Sequence, residues 1–367
     1  MVELAIPPYG PEFDGILDQL PNLPAVFLLW PRVGKPYLAR TNVLRKRLRR
    51  TLASLCGAIG RAEYQLTGSR LAAQFLLLEL ARKHLGAGYR REIRLRLPPY
   101  LRLILSNPFP RMQVTAHLGR TKAVYFGPFR NRATATRFES EFLDLFQLRR
   151  CQEDLAPRPD HPGCIYGEMG RCLRPCQQAV GIEEYRAEAD RVTEFLRTDG
   201  RSLAAPAENA RERLSAEMDF EGAALMHRRC QQIQEVLGLR DELARDVDRL
   251  NAITVTRAVS PNTVELGWLR QGSWQGFSEL EFAQADGTSV SLDARLRELA
   301  SGVSHDAAPR VERMEHLAVL ARWLYSDWCD GELLVVDDWS KIPYRRLVNA
   351  VSRIAHGQPP HRPSTHS

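Results

Sequence analysis

The chain lacks any apolar run long enough to cross a bilayer. Ala25–Trp30 and Phe75–Leu78 are short stretches, against the roughly 20 residues a membrane helix needs. It also lacks the basic start of a secretory leader, so the expectation is a cytoplasmic protein with reduced thiols and no membrane partner. Lysine is nearly missing, with 5 lysines against 46 arginines. Part of that bias reflects a GC-rich genome, and the rest puts the positive charge on a planar fork that matches phosphate. Cysteine is scarce outside one stretch: Cys56, Cys230 and Cys329 are scattered, while the other four of the seven fall between Cys151 and Cys176.

A chain of 367 residues has room for two or three domains, and 44% apolar with 26% charged residues is an ordinary soluble composition. The net charge of +7 hides an asymmetry. Residues 1–150 carry 25 basic against 10 acidic side chains, and the remainder 26 against 34. A front half of that kind suits phosphate binding, where each neutralised phosphate releases condensed counterions. It also suits a ribosome-associated or merely soluble protein.

Read in order, residues 1–22 are Pro-punctuated and irregular. Ala25–Trp30 and Pro36–Arg40 read as two short strands of a hairpin. Thr41 and Asn42 are suitable N-caps for a basic helix over Val43–Leu55. A second helix covers Ser69–Leu85, and Glu79 is its only carboxylate. Residues 90–125 are strand-rich, with Ile93, Leu95 and Leu97 alternating with arginines. Helices follow at Thr134–Phe146 and Glu183–Leu196. After an Ala/Pro break at Ala204–Ala207, a long helical pattern runs from Glu208 to Leu250. Strands then return over 251–282 with a Gln271-Gly272 turn, followed by helices near Ala294–Ala300 and Val311–Trp328, a strand at Leu333–Val336 and a polar tail.

Cys151, Cys164, Cys172 and Cys176 have 12, 7 and 3 residues between them. Glycines and prolines between them, among them Pro162, Gly163, Gly170 and Pro175, let the loop fold back so that four soft ligands converge. Such a set suits Zn or an iron–sulfur centre. Two disulfides or four unrelated thiols are the alternative.

YFGPF at Tyr125–Phe129, LRRC ending at Cys151 and GRCLRPC at Gly170–Cys176 occur in an order that resembles the cysteine region of the bacterial excinuclease C subunit, UvrC. The resemblance implies a [4Fe–4S] cluster on Cys151, Cys164, Cys172 and Cys176, with Zn as the alternative. The hairpin and basic helix ahead of it resemble the GIY-YIG nuclease domain that begins that family. Ala25-Val26-Phe27 stands where GIY is expected and Tyr37-Leu38-Ala39 where YIG is expected. The resemblance assigns Tyr37 to activating the attacking water and Arg47 to steadying charge on the phosphate. A helical Glu would hold Mg²⁺ or Mn²⁺. Phe27 lacks the first tyrosine's hydroxyl and Ala39 replaces a glycine. The Glu position falls on Leu77 or Leu78 by register, and one step to Glu79 turns the side chain by about 100°. The expectation is that catalysis is lost, that Mg²⁺ or Mn²⁺ is bound only if the site is active, and that Arg40, Arg45, Arg47 and Arg49 touch DNA.

MDFEGAALMHRRCQQI at Met218–Ile233 resembles a UVR motif, the helical hairpin through which UvrC and UvrB subunits pair. Phe220, Ala223 and Ala224 match it, while His227 and Arg228 stand where an Arg-Asp pair is usual. The strands after it resemble the meander that follows the motif in UvrC, and the RNase H-like endonuclease domain of that family would begin about where this sequence stops. The fold expected is α/β (α+β) and multidomain. Its parts are an irregular lead-in at 1–23, a small GIY-YIG-like mixed domain at 24–125, a cysteine-cluster region at 126–200, a UVR-like hairpin at 204–250, an α+β segment at 251–350 and a disordered tail at 351–367. The function expected is a UvrC-like protein that binds double-stranded DNA in nucleotide excision repair without nuclease activity. A metal-dependent single-cut endonuclease acting on damaged DNA is the alternative, and a scaffold that keeps its cluster for other partners is a third.

Overall fold

In the computed structural model, residues 1–6, 11–55, 58–119, 122–281, 291–304 and 308–360 are described. The chain divides into two units. One comprises Met1–Arg96, Asn251–Ala307 and Ala318–Pro363, the other Leu97–Leu250 and Ala308–Leu317.

The front of the first unit runs β1 (Val2–Ala5), α1 (Pro11–Asp18), β2 (Ala25–Pro31), β3 (Tyr37–Thr41), α2 (Leu44–Leu55), β4 (Ile59–Leu66), α3 (Arg70–His84) and the single turn α4 (Tyr89–Glu92). Its sheet is antiparallel in the order β1-β4-β2-β3. The lead-in is therefore not irregular as far as it is described: Val2–Ala5 pairs with Arg61–Tyr64 of β4, a long-range ladder that local sequence does not announce. Strand β2 is buried on both faces, which its continuous apolar run reflects. Ala25, Phe27 and Leu29 turn toward Leu44, Leu48 and Leu52 of α2. Val26 and Leu28 turn the other way, toward Ala73, Leu76, Leu77 and Leu80 of α3. Alternation along the strand thus sets α2 and α3 on opposite faces of one sheet. The strand expected at Ile93–Leu97 does not form. Arg94 is left-handed (φ 53°), Leu95 N–H returns to Arg90 O at 2.8 Å, and Pro98 and Pro99 just beyond remove ladder donors.

The second unit opens with β5 (Tyr100–Ile104), β6 (Met112–Thr115), β7 (Ala123–Gly127) and α5 (Arg132–Leu143). A short turn α6 (Ile165–Glu168) lies in the cysteine loop, and α7 (Ile182–Arg197), α8 (Arg201–Ala216), α9 (Phe220–Gly238) and the two-residue β8 (Arg245–Asp246) complete it. The sheet order is β6-β5-β7-β8. Its core is aromatic: Phe126, Phe129, Phe138, Phe142, Phe146 and Phe195 form one chain of ring contacts at 5.1–6.1 Å between centroids. Truncating a central ring such as Phe138 costs ~3–5 kcal/mol. The glycine of the YFGPF run has a steric reason. Gly127 has φ 150°, and a Cβ there would meet the Tyr100 ring at 2.8 Å. The Ala/Pro break expected at Ala204–Ala207 is absent, since Pro206 lies inside α8. Leu203, Ala204 and Ala207 all pack into the core, and that packing outweighs the one backbone hydrogen bond a proline removes.

The C-terminal part of the chain supplies β9 (Ala252–Arg257), β10 (Thr263–Arg270), β11 (Ser273–Glu281), α10 (Leu292–Ser301), α11 (Arg310–Leu324), β12 (Gly331–Val335) and α12 (Tyr344–Ala355). The antiparallel order is β11-β10-β9-β12. Gln271 and Gly272 both take positive φ (49° and 70°), the turn that matches strand twist in a two-residue hairpin. Helix α12 reaches into residues expected as a disordered tail. Its Leu347, Ala350, Val351 and Ile354 are buried at helical spacing, and residues 361–367 of that tail lie outside the described residues. Within the first unit this part shares a core with the front: Phe75 of α3 stacks on Trp274 of β11 at 4.0 Å. Gly68 approaches the backbone at Ala258 so closely that a Cβ would sit 2.2 Å from it. Three antiparallel sheets with interspersed helices, among the described residues, make this an α+β multidomain chain. No helix among them is long and apolar enough to cross a membrane.

Candidate nucleic-acid interface and thiol centre

On the α2 face of the first sheet, Arg47 Nη2 donates to the Tyr37 hydroxyl at 3.3 Å. Register explains the meeting. Tyr37 opposes Leu29 and shares its face, and Arg47 lies one turn into α2, which packs on that face. Tyr37 keeps 40% exposure, so its hydroxyl and the guanidinium both reach solvent. Phe27, buried below, lies 6.2 Å from the Tyr37 ring and opposes Ala39. Sequence reasoning placed Tyr37 and Arg47 at one centre, and the fold brings them into contact.

Glu79 stands on the exposed side of α3, the helix on the opposite face of the sheet. Leu78 is 1% exposed, and Leu77, with Leu38, packs at the edge of the cluster formed by Val26, Leu28, Ala73 and Leu80. Of the four arginines expected at DNA, Arg45 donates twice to Leu20 O (2.9 and 2.8 Å) and Arg49 pairs with Asp18 at 2.8 Å. Both clamp α2 to the segment before it, so much of the helix's basic character has a structural use that the sequence does not reveal. Arg40, on β3, faces the α3 side instead, over the Trp328 ring at 5.8 Å.

In the second unit, the four cysteines lie in the loop between α5 and α7, and all are thiols in the structure, not disulfides. Left-handed residues at Gly163, Gly170, Arg174 and Gln178 fold the loop back. Gln147 ties it to the body by accepting from Leu173 N–H and donating to Gly170 O. Cys172 and Cys176 are buried, Cys151 half-buried and Cys164 exposed. Burial pushes the Cys172 thiol up to about 11, against a donated Arg174 N–H (3.4 Å) and with the negative charge of Cys164, Cys151 and Cys176 adding to the rise. Burial and then the charges of Cys164 and Cys151 also raise Cys176. The four thiols are thus within electrostatic reach of one another. Among the described residues no three His, Cys, Asp or Glu side chains are grouped so as to hold a metal ion.

Arg149, which sequence reading passed over, supplies the test of fit. It is 2% exposed, donates to Phe109 O and Glu153 O at 3.0 Å, and reaches Cys151 Sγ at 3.4 Å. Its Nη2 is buried without an acceptor. A buried guanidinium beside four thiols suits a centre with net negative charge, since an uncompensated buried cation is costly. Four soft donors, with a buried guanidinium against Cys151 that keeps one nitrogen unsatisfied, fit a four-thiolate group.

Helices α8 and α9 form a hairpin whose turn is left-handed at Met218 (φ 60°) and capped by Asp219, which accepts from Gly222 N–H at 2.9 Å. At its tip Met218 and Phe220 are 77% and 70% exposed and Leu225 55%. Ala223 is half-buried and Ala224 exposed on the same helix.

Residues 99–195 match the family model of the UvrC/Cho excinuclease middle domain, which takes in β5–β7, α5, the thiol loop and most of α7. Over those residues the chain is similar to that family, and UvrC relatives align along most of its length. It is 27% identical over 332 residues to the UvrABC system protein C of Moorella thermoacetica, covering 85% of this chain and 53% of that protein. It is 25% identical over 291 residues to the UvrABC system protein C of Lachnospira eligens, covering 75% and 47%. The chain thus spans about half the length of the curated relatives it matches. No solved structure matches it.

Proposed function

We propose that this chain is a DNA-binding excision-repair protein of the UvrC kind whose front domain, a degenerate GIY-YIG fold, no longer cuts. The observation that carries the reading is the pairing of Tyr37 with Arg47 (3.3 Å) on a sheet whose other helix offers leucine at both carboxylate registers. The pair could orient a phosphate and bear its developing charge. Hydrolysis of the phosphodiester also needs a metal held by a carboxylate, and Leu77 and Leu78 cannot hold one. Cys151, Cys164, Cys172 and Cys176 would hold a [4Fe–4S] cluster, or Zn, with Arg149 offsetting its charge. The cluster would supply cross-linking of the loop, and electron transfer if it is iron–sulfur. The exposed tip at Phe220, with Ala223 and Ala224, suits pairing with a UvrB-like hairpin.

The test is incision of nicked and damaged duplexes with Mg²⁺ or Mn²⁺, with and without other excinuclease subunits. Binding without cutting is expected. If the wild type cuts and Glu79→Gln stops it, the single-cut endonuclease is the correct reading.

A further inference from the structure

We propose that Arg40, Arg70 and Arg322 form a phosphate clamp around Trp328, a second contact for the phosphodiester backbone of a nucleic acid, on the face of the sheet away from Tyr37 and Arg47. The inference rests on the DNA-binding reading above and adds a site to it.

Three separate parts of the first unit converge there. Arg40 comes from β3, Arg70 is the first residue of α3, and Arg322 lies in the last turn of α11. Arg40 and Arg70 sit over the Trp328 ring at 5.8 and 5.6 Å, and Arg322 anchors on Arg94 O at 3.4 Å. None of the three forms an ion pair among the described residues. They repel one another: after burial, Arg322 and then Arg70 are what lower the Arg40 guanidinium below its ordinary value.

Two features show that this gathering costs stability locally. Arg70 puts a cation at the positive end of α3, where the helix dipole disfavours it, and α3 has no acid in its first turn. The nearby carboxylate, Asp330, has both oxygens occupied. Oδ2 accepts from Arg70 N–H at 2.7 Å and Oδ1 from Trp323 Nε1 at 2.8 Å, so it caps the helix while offsetting one of three charges. The three arginines therefore retain an excess of positive charge, and Arg40 and Arg70 line a cavity of about 190 Å³ together with Thr41, Asn42, Ser69 and Asp330. Stacking on an indole holds guanidiniums flat with their N–H edges outward. That arrangement suits anionic oxygens.

The test uses the full chain with all three arginines changed to Gln, a matched set at Lys341, Arg345 and Arg346, and an all-Lys version of the clamp. Binding of a fluorescent duplex is followed against salt. Each lost phosphate contact removes ~0.9 from the slope of log K against log salt, so the Gln clamp should lose about 2–3 and bind at least tenfold more weakly at 0.1 M salt. The all-Lys version should keep most of the slope, and the matched set should change little. Melting curves by circular dichroism identify any variant that has unfolded, and the Lys version then decides: loss of its slope as well would overturn the clamp. Wild-type binding with an unchanged slope in the Gln variant would overturn the clamp and leave the DNA-binding reading standing. Absence of salt-dependent binding by the wild type would remove both. Inorganic phosphate that saturates the clamp at micromolar concentration without displacing the duplex would assign the site to a small phosphate ligand and overturn the backbone contact.

Discussion

The Tyr37–Arg47 corner of the first unit and the thiol loop of the second each keep a different half of a site. At the corner the scaffold is complete. The strands pair in register, α2 and α3 cover the two faces, and tyrosine meets arginine. On the reading proposed above, the group that would anchor a metal is what is missing. In the loop all four donors are present, but the segment carrying them has little apolar packing of its own and depends on Gln147, Arg149 and four left-handed residues. The difference teaches that a site resting on a core can lose its polar chemistry and keep its shape, because apolar burial supplies the shape. A site in a loop needs its ligand as a structural element.

The largest effect should therefore come from the loop. Cys172→Ser should remove the bound centre, with the visible thiolate-to-iron absorbance of anaerobically purified protein lost, and lower the melting temperature of the second unit. A bound structural ion can be worth ~10 kcal/mol to such a segment. A colourless wild type with one Zn per chain would reassign the centre but keep the contrast. Arg149→Met sharpens it. If the guanidinium compensates a negative centre, the variant should destabilise the loaded protein more than the metal-stripped one. Equal losses in both would reduce Arg149 to a holder of the Phe109 and Glu153 carbonyls.

The corner should respond to a restored carboxylate in a position-dependent way. Leu78 is buried at 1% exposure, so Leu78→Glu places an unpaired charge in the core at a cost of ~3–5 kcal/mol. Leu77 lies at the rim of the cluster, and Leu77→Glu should fold with a smaller loss. Chemical denaturation of the two variants tests this, with Mn²⁺ binding followed by electron paramagnetic resonance. Tighter Mn²⁺ binding by Leu77→Glu than by the wild type would show that the corner lacks only its carboxylate. No gain would mean that helix α3, on the far face, is out of reach.

Much of this contrast was legible in the sequence, for identifiable reasons. The strand at Ala25–Trp30 and the Gln271-Gly272 turn are local signals that the fold uses where they stand, whereas Thr41, expected as a helix cap, ends β3 and helix α2 begins only at Leu44. What stayed hidden depends on distant partners. Val2–Ala5 becomes a strand only because β4 offers it an edge. Arg45 and Arg49 read as phosphate ligands until Leu20 O and Asp18 appear beside them. Trp328 gathers Arg40 and Arg70 from more than two hundred residues away. Helix α12 is a different case: its buried stripe at Leu347, Ala350, Val351 and Ile354 was present in the sequence at helical spacing, and the polar residues after it drew the reading toward a tail.

The smallest effect concerns a carboxylate that the first unit already buries, and it calibrates what Leu77→Glu and Leu78→Glu would meet. Glu265 of β10 is pushed up to about 7, first by burial and then by the charges of Glu279 and Asp330, with Thr256 and Ser69 hydrogen bonds working the other way. Its ordinary value is 4.5, so the folded state holds the proton more tightly than the unfolded chain. Glu265 therefore costs nothing electrostatically below pH 4.5, and stability is lost as pH rises from there through about 7. The difference corresponds to up to ~3 kcal/mol above neutrality. Glu265→Gln keeps the shape and removes the titration. Its stability relative to the wild type should climb across that window and level off above it, apart from a constant offset for the altered Thr256 and Ser69 contacts. Urea denaturation at pH 4, 6 and 8 measures the climb. Parallel curves for the two proteins would mean that solvent reaches Glu265 freely, and the predicted penalty for a carboxylate at Leu77 would shrink with it.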